Sequence, residues 1–340
     1  MLRCLALWVL ASIGNYIANA QDSTSSASLL AFGDVNLGRS VGQEILKGNI
    51  TYPFDNVGTV LSQADLVFVN LESQLSDRQG ETQHPKYNLI FCGPPLGAQS
   101  LKKAGITVVS TANNHAFDYN LRALKETVRY LRNEGIQFTG TNDSGDSIFD
   151  PLIVERNGIR IGFVAYTSFV NAQHGWQGYI SDYDSARARA EIRHLRKSVD
   201  VIVASLHGGV EYVEAPDRET LYRLHLLATL GADVVLGHHS HVPQGIEGYK
   251  NSWIFNSLGN FVFFQPQLEW TQKSFGAQIR FEKNARGTKI SRVTLLPFRA
   301  GKQPSFTMSQ VDIEQMARRL RRLSNTNIEV SKNELFVNIQ

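Results

Sequence analysis

Cysteine is almost absent from this chain: Cys4 and Cys92 are the two present in 340 residues. Cys4 falls in a leader-like amino-terminal segment, so the body of the chain keeps Cys92 alone and cannot close an internal disulfide. A lone cysteine followed by "GPP" reads as a packing residue. Strong charge bias is missing too. Lysine and arginine total 34 against 31 acidic residues, a formal charge of +3 that gives no basis for a nucleic-acid partner. Internal repeats and low-complexity linkers are lacking, which favours one catalytic-size domain over two. Beyond the leader, no apolar run approaches the roughly 20 residues that a helix needs to span a bilayer.

What the chain does have begins at its amino terminus. "MLRCLALWVLASIGNYIANAQ" places Arg3 before an apolar stretch from Cys4 to Ile13 and ends in Ala18-Asn19-Ala20. That order predicts a signal peptide over residues 1–20 and therefore export, to a periplasmic or extracellular location. Retained uncleaved, the same segment would anchor the chain to a membrane.

From residue 28 the sequence alternates short β-branched runs with helical patterns. "SLLAF", "DLVFVN", "ITVVST", "RIGFVAY", "VIVASL" and "DVVLG" read as buried strands. "DRETLYRLHLLATLG" reads as a helix opened by Pro216 and Asp217, apolar at Leu221, Leu224 and Leu227 or Ala228, and stopped by Gly231. This alternation predicts an α/β fold over residues 28–300. After about residue 251 strand follows strand, with "NARG" as a hairpin turn, so the sheet should be mixed. A final amphipathic helix, within residues 309–340, carries Met316, Leu320 and Leu323 on one side. Its arginines 318, 319, 321 and 322 read as a solvated face.

Polar residues fall at the ends of these strands. Asp34, Glu72, Asn113-Asn114-His115, His207 and the "GHHSH" histidines each close an apolar run. Loops beyond the carboxyl ends of α/β strands converge on one crevice, so these side chains should meet. In an extended loop His239 and His241 would point the same way and His238 the other way, behind a ligand. Asp34, Glu72, Asn114, His207, His239 and His241 make a mixed nitrogen and oxygen set, suited to one or two manganese, iron or zinc ions. A bridging carboxylate would hold two ions about 3.5–4 Å apart. His115 would serve as an acid toward a leaving group. Asp118 has two readings: it orients His115, or it caps the helix that begins near Asn120. Arg39 could contact an anionic substrate or make a structural ion pair. Asn113, Glu211, His238 and Asn260 complete the candidates, as substrate contacts or as supports for the ligands. His84, His174 and His194 stand alone, and His225 lies in a helix. Metal affinity is expected to fall below about pH 6.5, where free histidine protonates.

"FGDVNLGR", "VNLESQL", "ANNHAFDYN", "LHGGVEY", "GADVVLGHHSHVPQGIE" and "SLGNFVF" occur in an order that resembles CapA-type capsule synthesis proteins, associated with poly-γ-glutamate. The resemblance covers about residues 28–264. That family looks like a relative of the calcineurin-like metallophosphoesterases, which implies a mixed-sheet sandwich flanked by helices (αββα). It places Asp34 as the first metal aspartate and Glu72 as the bridging carboxylate. Asn114 and His115 take the places of the "GNH" pair, and His207, His239 and His241 those of the later ligands. Three positions depart from the phosphoesterase pattern: Asn36 stands where a histidine is usual, Glu72 where aspartate is, and Gly208 where tryptophan is. Three functions are consistent with this resemblance. One is an exported hydrolase or transferase that uses metal-activated water on poly-γ-glutamate or another envelope polymer. Another is a non-catalytic accessory of a membrane polymer synthase or exporter. The last is an exported metal-dependent phosphoesterase.

Overall fold

The computed structural model of the protein describes residues 24–146 and 150–338. The leader-like segment lies outside the described residues. Strand Ser25–Val35 shows how the layers arise. Leu29 and Ala31 face one core while Leu30 and Phe32 face another, as the two-residue repeat of a strand requires. A strand apolar on both faces must be covered on both.

Among the described residues two large sheets form. The first runs, in spatial order, through Ile328–Ser331, Glu334–Val337, Gly287–Arg299, Lys273–Asn284, Ser25–Val35, Leu66–Leu71, Val108–Ser110 and Gln137–Thr139, with Asn260–Val262 paired to the end of Ser25–Val35. The second runs through Ile246–Tyr249, Ser252–Phe255, Val234–His238, Val201–His207, Ile159–Thr167 and Leu152–Arg156. Both are mixed: the site-bearing strands are parallel and hairpins supply the antiparallel edges. Phe68 of the first sheet stacks on Phe163 of the second at 6.1 Å, inside the core between them. Helices Arg39–Leu46 and Gly97–Lys103 cover the outer face of the first sheet. Ser185–Leu195 and Arg218–Leu230 cover the second. The expected αββα sandwich is the observed one.

Local signals are placed as the sequence suggests. Asp217 Oδ1 accepts from the amides of Glu219 and Thr220 at 2.9 and 3.0 Å, and Gly231 ends that helix at φ +117°. Asn284 pairs with Gly287 across the hairpin. Cys92 is buried, and burial pushes its thiol up to about 12.

The carboxyl-terminal helix requires a correction. Helix Gln310–Leu323 sends Ile313, Met316, Ala317 and Leu320 into the inter-sheet core. Arg319 lies three residues from Met316, on the same face, and is buried instead of solvated. Its Nε donates to the Pro243 carbonyl at 2.9 Å and its Nη1 to Glu214 at 2.8 Å. The helix thereby grips two loops that lead into the site described below.

Asp312, in the first turn of that helix, binds Lys273 at 2.8 Å and also pairs with Arg299. The Lys273 hydrogen bond outweighs burial and holds the Asp312 carboxyl at about 2, below its ordinary 3.8. A depressed carboxyl stabilises the fold above its unfolded value and loses that contribution as pH falls through the folded one. Asp312→Asn should therefore melt about 1–3 °C lower at neutral pH. In thermal melts the gap should close as pH falls from 3.8 toward 2. A gap that stayed constant would show that the pair does not act through charge.

Candidate metal centre and its cavity

The parallel strands of both sheets end at the same edge of the sandwich, and the ligand-type side chains collect there. Glu72 is fully buried, and neither carboxylate oxygen has a hydrogen-bond partner among the described residues. Its Oε1 lies 3.8 Å from His207 Nε2, 3.8 Å from His241 Nε2 and 4.0 Å from His115 Nε2. Two groups of three side chains, each with ligand atoms within 4.8 Å of one another, share this residue: Glu72, His207 and His239, and Asp34, Glu72 and His241. Glu72 thus sits between two potential ligand sets.

Each of these side chains is aimed by a neighbour. Asp34 takes the amide hydrogen of Asn70 at 2.9 Å, with His241 Nδ1 at 3.3 Å and His238 Nδ1 at 3.5 Å. Asn70 Nδ2 also lies 3.1 Å from His207 Nδ1, and His207 Nε2 is 2.7 Å from Asn114 Oδ1. Asn260 gives its Nδ2 hydrogens to Gln265 Oε1 at 2.9 Å and the Thr271 carbonyl at 3.0 Å, which turns its Oδ1 toward His241 Nδ1 at 2.9 Å. His241 therefore donates from Nδ1 and presents Nε2 to Glu72, the arrangement that suits a metal ligand. Gly33 lets the Asp34 strand reach this place, since a Cβ there would lie 1.7 Å from the Gly259 carbonyl oxygen.

His115 and Asp118 form a pair of their own. Asp118 Oδ2 lies 2.7 Å from His115 Nδ1, while the helix Asn120–Asn133 has no side-chain cap. Of the two readings of Asp118, the structure has the orienting one. Donation from Nδ1 leaves His115 Nε2 facing Glu72. Asn171 Nδ2 approaches the same Nδ1 at 3.4 Å.

The electrostatics follow from burial. Burial would raise Asp34, but the adjacent imidazoles of His238 and His241 carry it well below the usual carboxylate range. Burial, then the charges of Asp34 and Glu211, push Glu72 well above that range. Burial raises Asp118 against the pull of His115. Burial and neighbouring imidazoles hold His207 well below its ordinary value and His239 at about 4. These rings stay neutral further into acid than free histidine does.

Other expectations need adjusting. His239 and His241 are not extended; both adopt left-handed backbone, at φ +89° and +58°, and it is this turn that brings their rings to one centre. Asn113 does not face the cavity: it donates to the Leu71 carbonyl at 2.8 Å and accepts the His115 amide at 3.1 Å, pinning the loop. Asn36 accepts from the Gly38 amide at 2.8 Å. Gly208 packs on Ser168, whose Oγ would lie 2.1 Å from a Cβ. His225 pairs with Glu247 at 2.8 Å, away from the site. Sequence reasoning passed over Asn70, Asn171, Tyr212 and Gln265. Asn70 closes the "DLVFVN" run and carries the same strand-end signal as Glu72 two residues on.

In front of the cluster opens a cavity of about 330 Å³, with Arg39, His115, Glu211, Tyr212, His239 and His241 among its lining residues. The two-sheet sandwich thus gathers histidines and carboxylates at the ends of its strands. The fold matches a Staphylococcus aureus structure described as a 5'-nucleotidase, with TM-score 0.52 and 14% identity, over 87% of this chain and 58% of that one. The chain belongs to the bacterial capsule synthesis protein family PGA_cap, whose model matches residues 28–265. It is 28% identical to the capsule biosynthesis protein CapA of Bacillus anthracis, over 85% of this chain and 71% of that protein. It is 27% identical to the PGA biosynthesis protein CapA of Bacillus subtilis, over 80% and 71%. A Mycobacterium tuberculosis relative, described as a polyglutamine synthesis accessory protein, is 26% identical over 86% and 82%.

A buried carboxylate without donors destabilises the fold that holds it. Glu72→Gln should therefore stabilise the metal-free protein by about 1–3 kcal/mol in denaturant titrations. A raised carboxyl favours the fold most below its unfolded value of 4.5 and less above it, so the difference should grow as pH rises. A metal-free Glu72→Gln protein less stable than the native chain at neutral pH would contradict this.

Proposed function

We propose that this chain is an exported, metal-dependent hydrolase or transferase that acts on poly-γ-glutamate or a related anionic polymer of the cell envelope. The observation that carries the reading is Glu72, buried between two histidine–carboxylate sets without a hydrogen-bond donor among the described residues. A divalent transition ion is the partner such a group fits, and the mixed donors suit manganese, iron or zinc. Glu72, His207 and His239 would hold one ion, with Asn114 beside His207; Asp34, Glu72 and His241 would hold a second. When bound, such a centre polarises a carbonyl or phosphoryl oxygen and acidifies water.

The chain's own residues supply the rest. His115 holds a proton toward the cavity, and Asp118 fixes the ring so that Nε2 delivers it to a departing group. The buried walls exclude bulk water from the ligands. Family membership supports the polymer as substrate or product, and the leader-like segment supports export. No helix among the described residues is long and apolar enough to cross a membrane.

A second reading, a non-catalytic accessory of a membrane polymer synthase or exporter, draws on one observation. Asn36 is spent on a local turn where a catalytic phosphoesterase keeps an imidazole, and one ligand set is correspondingly poorer.

Elemental analysis of the gently purified protein should find at least one manganese, iron or zinc per chain, and His239→Ala should lose most of it. His115→Asn should keep the metal and lower turnover of polyglutamate about 10²–10⁴-fold. Metal without turnover of polyglutamate or phosphodiesters would favour the accessory reading, and absence of stoichiometric metal would defeat the catalytic one.

A further inference from the structure

Among the cavity's lining residues Arg39 is the sole lysine or arginine. Asn36 and Gly38 turn the chain so that Arg39 opens its helix at φ +51°. Left-handed backbone is unfavourable for a residue with a side chain and free for glycine. It is held here by the Arg39 amide on the Thr82 carbonyl at 2.6 Å and the Thr82 hydroxyl on the Arg39 carbonyl at 2.7 Å. Neither contact uses the side chain, so nothing in the turn itself calls for arginine.

The guanidinium is placed toward the centre instead. It lies 4.7 Å from the Phe91 ring and 5.8 Å from the Phe263 ring. Those rings pack against His115 at 4.2 Å and His241 at 4.8 Å. Nη2 donates to the Asn88 carbonyl at 2.6 Å, Nε is buried without a partner, and no carboxylate forms an ion pair with Arg39 among the described residues. A permanent cation flanked by aromatic rings, with a buried donor unmet, is an incomplete anion site. Leu89 and Phe169 add apolar wall. Glu211 lines the same cavity, so a singly charged group is favoured over a dianion.

We propose that Arg39 anchors a carboxylate of the substrate, with Phe91 and Phe263 against the adjoining methylenes, and so selects carboxylate-bearing chains over phosphoesters. This rests on the polymer-acting role proposed above. Arg39 then holds the chain while the bond to be changed lies at His115 and the metal ligands.

Isothermal titration of a γ-linked glutamate oligomer into the full chain tests it, with inorganic phosphate as a parallel titrant and metal content measured for every sample. Arg39→Gln should weaken oligomer binding about 10–100-fold with metal content unchanged. Arg39→Lys should fall between, since it keeps the charge and loses the fork. Arg39→Gly, which accepts the positive φ, should stay folded in thermal melts and still lose oligomer binding. An unchanged oligomer Kd in the folded, metal-loaded Gln and Gly variants would overturn the anchor and leave the polymer role standing. Phosphate binding that depends on Arg39 while oligomer binding does not would overturn the choice of carboxylate. A native, metal-loaded chain that binds no oligomer would remove the polymer role and the anchor together.

Discussion

The burial of Glu72 between histidines, with no hydrogen-bond donor among the described residues, is the constraint around which the rest of the site is arranged. An unpaired carboxylate inside a protein costs several kcal/mol, and nothing in the described structure offsets it locally. The surrounding groups do not relieve it either. Asp34 and Glu211 add like charge, and the nearest imidazole nitrogens stand at 3.8–4.0 Å, beyond hydrogen-bond distance. A centre left in this condition is complementary to a cation.

The fold supports that arrangement mechanically. Both sheets deliver parallel strands to one edge, and their shared core fixes how the two edges meet. Asn70 ties Asp34 to His207, Asn260 orients His241, and Asp118 orients His115, so few of these side-chain directions are left to chance. The carboxyl-terminal helix belongs to the same machinery. Arg319 joins it to the Pro243 carbonyl, two residues beyond His241, and to Glu214, three beyond Glu211. Residues past the family match at 265 thus brace loops inside it.

Much of this was legible in the sequence because strand periodicity and strand-end chemistry are local signals. "DVVLG" before "HHSH", and "VIVASL" before His207, announce buried strands that stop at histidines. Rotations about single residues were not legible. The left-handed turns at His239 and His241 bring their rings together by a route that an extended reading misses. Asn113 and Asn114 look alike in sequence, yet one pins a loop and the other meets His207. Arg319 reads as one of four solvated arginines until packing shows that it shares a helix face with Met316. Side-chain direction in turns, and the tertiary partner of a long charged residue, depend on contacts distant in the chain.

Anomalous diffraction from crystals of the protein purified without chelator reports on the Glu72 site directly. The arrangement predicts an anomalous peak at about 2.0–2.2 Å from a Glu72 oxygen and from a histidine nitrogen of His207, His239 or His241. An ordered Glu72 carboxyl bonded to water or protein, with no anomalous scatterer beside it, would contradict a metal centre here.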